Sequence, residues 1–170
     1  LARTYSYGGG CGTDMSKLAP KGATIHNAAK TTSGAVSFMD LYSLVTGLIG
    51  QEGRRGALML SMSCDHPDIE DFINIKNNLD KVTYANISVR ITDEFMKAVK
   101  DDSDFTLNFT REITGETITK TVNARELFHK FCENNWNNAE PGMLFWDNIC
   151  NWNLLSNTKE FEFAGTNPCA

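Results

Sequence analysis

No stretch of this sequence approaches the roughly eighteen consecutive apolar residues that a membrane-spanning helix needs. No basic segment runs into an apolar one, so no secretory leader is visible. Positive charge is scarce: 16 Lys and Arg face 21 Asp and Glu, for a formal net charge of −5. That balance excludes a broad basic footprint for nucleic acid and leaves room only for a local phosphate site. No C-x-x-C pair occurs among Cys11, Cys64, Cys132, Cys150 and Cys169, and their spacings do not suit a zinc ribbon. An odd count without a framework excludes a disulfide scaffold and points to a reducing, cytoplasmic setting. The ordinary role of each thiol is that of a small buried hydrophobe. Internal repeats and low-complexity tracts are absent as well.

What is present is enough for one domain with a real core: 170 residues, 41% of them hydrophobic. "YSYGGGCGTD" reads as a strand entering a glycine-rich turn, with nothing before it to cap or start it. The chain is therefore expected to begin inside a larger fold. Residues 15–35 read as a loop. "SFMDLYSLVTGLIG" puts Phe38, Leu41, Leu44, Val45 and Leu48 on one helical face, with Gly50 as the stop. "ALMLSMS" is a buried strand, and "DHPDIEDFINIK" opens a helix with Pro67 near its first turn and acids at its positive end. "YANISVRIT" alternates as a strand does, and Thr92 caps the helix that follows. Residues 104–122 form a hairpin turning near Gly115, with Phe105, Leu107 and Phe109 on one face. Asn123 and Glu126 resemble a capping box at the head of the next helix. "MLFWDN" is a short strand, and "NTKEFEFAGTNPCA" a strand entering a loop. Strands alternating with helices predict an α/β architecture.

Four stretches could carry chemistry. In "GGGCG", glycines let backbone approach a ligand closely; a tight turn explains them equally well. In "GQEGRRGA", Arg54 and Arg55 can grip phosphate and Gln51 can read a base edge, the alternative being a solvated loop. "DHPD" offers Asp65, His66 and Asp68 to a metal, but a helix start accounts for it better, so no metal is assigned. "NPC" places a thiol in a Pro-flanked loop, with Asn167 on the same face of an extended chain. From those letters alone, a frayed tail is the simpler reading.

Taken together, "YGGGCG", "LAPKGA", "TSGAVSFMDLY", "GQEGRRGA", "HPDIEDFI", "NISVRITDEFM", "EPGMLFWD" and "NPC" occur in an order that resembles the catalytic subunit of ribonucleotide reductase. The details are most similar to the adenosylcobalamin-dependent class. The resemblance implies that residues 1–170 are one partial domain, the central segment of a ten-stranded α/β barrel. It implies that Cys169 is the thiol that becomes a radical on a finger loop, removing the 3′ hydrogen of a ribonucleotide. Asn167 would hold the substrate ribose, and Gly10 would contact substrate through its backbone. Gln51 and Arg55, with Arg54 beside them, would link a deoxynucleotide or ATP effector to the substrate base. "DMSKLAPKGA" matches a neighbouring effector loop, with Ala19 where an arginine is common.

The same resemblance implies adenosylcobalamin as the radical source, a homodimer of the full chain, and no nucleic acid or membrane as partner. It calls for a glutamate two residues after the radical thiol and for two further redox cysteines, none of which is matched here. The isolated 170-residue chain is thus expected to be inactive. Two other readings stand beside this one. One is a reductase large subunit whose radical comes from a separate di-iron subunit. The other is a nucleotide-binding module without chemistry.

Overall fold

A computed structural model describes residues 1–26, 28–49, 56–155, 157–158 and 160–168. It opens with a short helix, α1 (Ala2–Ser6), where a strand is expected. The strand comes later: β1 spans Gly10–Asp14. The chain then forms α2 (Ala35–Leu48), β2 (Ala57–Ser63), α3 (Ile69–Asn74) and β3 (Asn86–Ile91). After α4 (Asp93–Asp101) comes the hairpin of β4 (Asp104–Thr110) and β5 (Thr117–Asn123). The last elements are α5 (Ala124–Asn138), β6 (Gly142–Phe145) and α6 (Trp146–Asn151).

Strands β1, β2, β3 and β6 lie in that order in one parallel sheet. Helices connect them, as parallel pairing requires. Alternation along the strands gives the sheet two unlike faces. Leu58, Leu60 and Met62 of β2, with Ile87, Val89 and Ile91 of β3, are at most 2% exposed. They pack against Met39 of α2, Phe72 of α3, Phe95 of α4 and Phe131 of α5. Each such side chain contributes about 1.5–3 kcal/mol by leaving water. The opposite face carries Gly10, Gly12 and Asp14, then Ala57, Met59, Ser61 and Ser63, then Asn86, Ser88 and Arg90. Apart from Met59 these residues are small or polar, unlike the continuous apolar runs of a sheet buried by helices on both sides.

The helix ends follow local chemistry. The Thr92 hydroxyl accepts from the Phe95 amide at 3.2 Å, and the Asn123 side chain accepts from the Glu126 amide at 2.9 Å. α4 and α5 both stop on left-handed residues, Asp102 and Ala139. In the hairpin, Phe105 and Leu107 point into the core as expected, while Phe109 meets the His66 ring edge-on at 5.7 Å.

Two features go beyond what the sequence says. The apolar stripe of α2 faces outward: Phe38, Leu41, Leu44 and Leu48 are exposed, while Ala35, Met39, Ser43 and Thr46 are buried. The helix α3 starts directly behind residues 65–68, with Pro67 just ahead of its first turn and Glu70 and Asp71 within it, as expected. Asp68 also accepts from the Lys21 amide at 3.0 Å and the Ala35 amide at 3.0 Å, tying the loop 15–34 at Lys21 and at its junction with α2. His66 Nδ1 accepts from the Asp68 amide at 3.1 Å, so its Nε2–H donates to the Leu18 carbonyl at 2.9 Å. These atoms are occupied by backbone partners. Among the described residues no helix is long and apolar enough to cross a membrane.

Candidate functional site

The polar face of the sheet is where two of the sequence-predicted residues, Gly10 and Asn167, meet. After α6 the chain returns without forming the expected strand and runs extended across this face. Gly165 lies against Asp14 and Ser61, where a Cβ would sit 3.8 Å from Asp14 Cβ and from Ser61 Oγ. Thr166 lies over Gly12, and a methyl there would overlap the Thr166 carbonyl oxygen. Asn167 reaches Gly10, where an added Cβ would come within 2.9 Å of its Oδ1. The tail therefore descends antiparallel to β1, one rung after another. Only bare backbone at Gly10 and Gly12 admits it this closely.

Gly10 and Asn167, named from sequence for one site, are thus brought together. Cys169, two positions after Asn167 in the sequence, lies outside the described residues. Gln51, Arg54 and Arg55 also lie outside them. Their loop is bracketed by described neighbours: Ile49 ends α2, and Gly56 precedes Ala57, whose register partner is Gly10. Gly56 is held closely by the buried Tyr5 ring, 2.9 Å from where its Cβ would stand. Burial pushes the Tyr5 hydroxyl above its ordinary range, which keeps it neutral at physiological pH.

Sequence reasoning missed the residues at the upper end of the tail. Asp14 Oδ2 accepts from the Ser61 hydroxyl at 2.8 Å and pairs with Arg90 Nη1 at 3.0 Å. The Arg90 guanidinium carbon stands 3.8 Å from the centre of the Trp146 ring. Trp146 meets Phe163 of the tail edge-on, with centroids 6.0 Å apart. The signal was available: Arg90 and Asp14 are the charged members of alternating strands, on the face opposite the apolar one.

Two clefts lie elsewhere. One of about 450 Å³ is lined by Asp65, Glu94, Asp101 and Asp104 against the single cation Lys97, a net negative lining that disfavours a nucleotide's phosphates. Another of about 610 Å³ lies between the loop 15–34 and the hairpin, lined by Lys17, Ala19, Arg90 and Arg111. Of the thiols away from the tail, Cys64 is a core residue, Cys11 packs against the core, and Cys132 is exposed. Burial pushes Cys64 up to about 11, and Cys132 is raised for the same reason. Cys11, on the helix side of β1, is half-buried.

The described site is thus a glycine-faced parallel strand with Gly165, Thr166 and Asn167 laid against it. The family model for the ribonucleotide reductase barrel domain matches residues 1–170. The chain belongs to the ribonucleotide reductase family. It is 36% identical over 170 residues to a vitamin B12-dependent ribonucleoside-diphosphate reductase of Thermoplasma acidophilum, covering 99% of this chain and 22% of that one. A Mycobacterium tuberculosis protein of the same description is 35% identical over 164 residues, covering 95% of this chain and 23% of its own. A vitamin B12-dependent ribonucleotide reductase of Streptomyces coelicolor is 35% identical over 191 residues, with 98% and 19% covered. The chain spans about a fifth of the length of these relatives. Its four-stranded parallel sheet and covering helices form part of the reductase barrel.

Proposed function

We propose that this segment carries the radical thiol and the ribose-binding groups of a cobalamin-dependent ribonucleotide reductase. The observation that carries the reading is the tail descending the glycine face of β1, which brings Asn167 to Gly10. In this reading Cys169 abstracts the 3′ hydrogen of the ribonucleotide, and the 2′ hydroxyl then leaves. Asn167 orients the ribose through its amide, and the backbone of Gly10 meets the substrate. A radical thiol needs shielding from water and stray reductants, and the inner face of a barrel supplies it.

The relatives' names support cobalamin over a separate di-iron subunit. The described residues fit the thiol end of that chemistry, since Gly10, Gly12 and Ala57 present little side-chain bulk to the tail. They do not form a surface to which a corrin ring could be assigned. When bound, adenosylcobalamin supplies the unpaired electron; this chain positions the thiol and protects it.

Gln51, Arg54 and Arg55 would report the effector nucleotide to the substrate. Their support is connectivity: the loop links the end of α2 to the residue beside Gly10's partner Ala57. The same helix supports a homodimer of the full chain. Phe38, Leu41, Leu44 and Leu48 form an outward apolar stripe, with Leu48 73% exposed. A contiguous exposed apolar stripe of this kind marks a contact surface.

The test uses the complete natural chain, assayed with ribonucleoside di- and triphosphates, adenosylcobalamin and a dithiol. Deoxyribonucleotide formation that depends on the cofactor is expected, and Asn167→Ala should reduce it. Nucleotide binding without turnover would leave a non-catalytic module instead.

A further inference from the structure

Asp14, Ser61, Arg90 and Trp146 come from the ends of four neighbouring strands and bridge the sheet from one side to the other. Asp14 ends β1, Ser61 lies near the end of β2, Arg90 near the end of β3, and Trp146 follows β6. Asp14 Oδ1 accepts from the Ser16 amide at 3.0 Å, while Oδ2 takes the Ser61 hydroxyl and Arg90. The tail touches this bridge at both ends, through Phe163 on Trp146 and Gly165 on Asp14 and Ser61.

Stability alone does not account for it. The Asp14 and Arg90 side chains are 10% and 18% exposed, and a pair so withdrawn from water gives little net stability. Apolar side chains of similar size often serve the fold as well. Arg90 Nε and Thr166 Oγ1 are also buried without a hydrogen-bond partner among the described residues, which adds nothing to stability. What the bridge does provide is direction. A planar guanidinium gripped by a carboxylate and facing an aromatic ring has few alternative positions.

We propose that the Asp14–Arg90–Trp146 bridge is a positioning device that fixes where the tail 163–167 sits on the sheet. It thereby sets the distance of Asn167, and of the thiol two residues further, from the substrate. The proposal rests on the reading of Cys169 as the radical carrier. Asp14 lies four residues along β1 from Gly10, about 13 Å in an extended strand, so the bridge acts through the tail and does not touch the reacting atoms.

The test replaces the pair together, Asp14→Leu with Arg90→Met, in the complete natural chain. The thermal midpoint should stay close to that of the parent. kcat should fall about a hundredfold, as for a displacement of about 1 Å at the reacting centre. KM for the ribonucleotide should hold within about threefold, since ground-state binding is not removed. Backbone hydrogen exchange should quicken in residues 163–168 and stay unchanged in α3 and α5. Arg90→Lys, which keeps the charge and loses the planar face, should fall between. Unchanged kcat with unchanged tail exchange overturns the proposal. So does a raised KM with kcat retained, which would make the pair a substrate contact. If the double variant does not fold, Arg90→Lys and Trp146→Leu take its place, and unchanged tail exchange in both overturns it. If the parent chain forms no deoxyribonucleotide, the reductase reading fails, while exchange in 163–168 still decides whether the bridge holds the tail.

Discussion

Gly12→Ala is the smallest change that should disable the site, because it places one methyl group where the tail runs. That methyl would overlap the Thr166 carbonyl oxygen and stand 2.8 Å from its carbonyl carbon. Ordinary carbon contacts are about 3.5 Å or more, so the tail backbone must lift by roughly 1 Å. Both colliding atoms are backbone, so no rotamer change relieves them. A displacement of that order costs about a hundredfold in rate, equivalent to about 2.7 kcal/mol of lost transition-state stabilisation. Overpacking costs about 1–3 kcal/mol of stability, offset by about 0.4–1 kcal/mol from a stiffer unfolded chain.

Gly10→Ala is the internal comparison. Its methyl meets the Asn167 Oδ1 at 2.9 Å, the mobile end of a side chain, which can swing aside. That variant should lose ribose orientation, about tenfold in kcat/KM, with little loss of stability. Steady-state kinetics on the complete chain, with thermal unfolding alongside, separate the two. If Gly12→Ala turns over like the parent, the tail does not lie on β1 in the working enzyme, and the reasoning fails.

Asp68→Ala strips the acceptor from the Lys21 and Ala35 amides and should lower stability by about 3 kcal/mol, read from urea midpoints. Glu70→Gln should flatten the acid limb of stability. Lys120 and Lys130 hold the Glu70 carboxyl below its ordinary range, so its contribution is complete above that range and fades as pH falls through the lowered value. Both lysines are about half exposed, so the effect should be about 1 kcal/mol or less. Cys64, pushed up to about 11, gives the opposite sign: its contribution is intact below about pH 9 and is lost as pH rises toward 11. Cys64→Ala should therefore make the alkaline limb shallower in thermal melts, and in the parent Cys132 should alkylate before Cys64. Leu44→Glu should convert a dimer of the complete chain to monomer in sedimentation, leaving the core unaffected because the Leu44 side chain is exposed.

Much of the framework was legible because its signals are local. Thr92 and Asn123 announce their helices by side chains that reach the next free amide, and β3 alternates because its two faces meet different surroundings. The α2 stripe was legible as a stripe, but periodicity does not say which way it points. Its burial is decided by Met39 and Thr46 packing on the sheet side. "DHPD" was read as a helix start because acids suit that position. Its actual partners, Leu18, Lys21 and Ala35, lie more than thirty residues away in sequence, where local reasoning does not reach. Gly10 and Asn167 were each suspected separately. Their meeting depends on a tail that crosses the sheet, and the Asp14–Arg90–Trp146 bridge joins two strands and the start of α6 that are far apart in sequence.

The most direct measurement of the central claim is Cys169→Ser in the complete chain, assayed for deoxyribonucleotide with adenosylcobalamin and a dithiol, and for ribonucleotide binding at equilibrium. A serine hydroxyl keeps the size and cannot carry the radical. The account predicts that product falls below detection while ribonucleotide affinity is retained. Turnover comparable to the parent would contradict it.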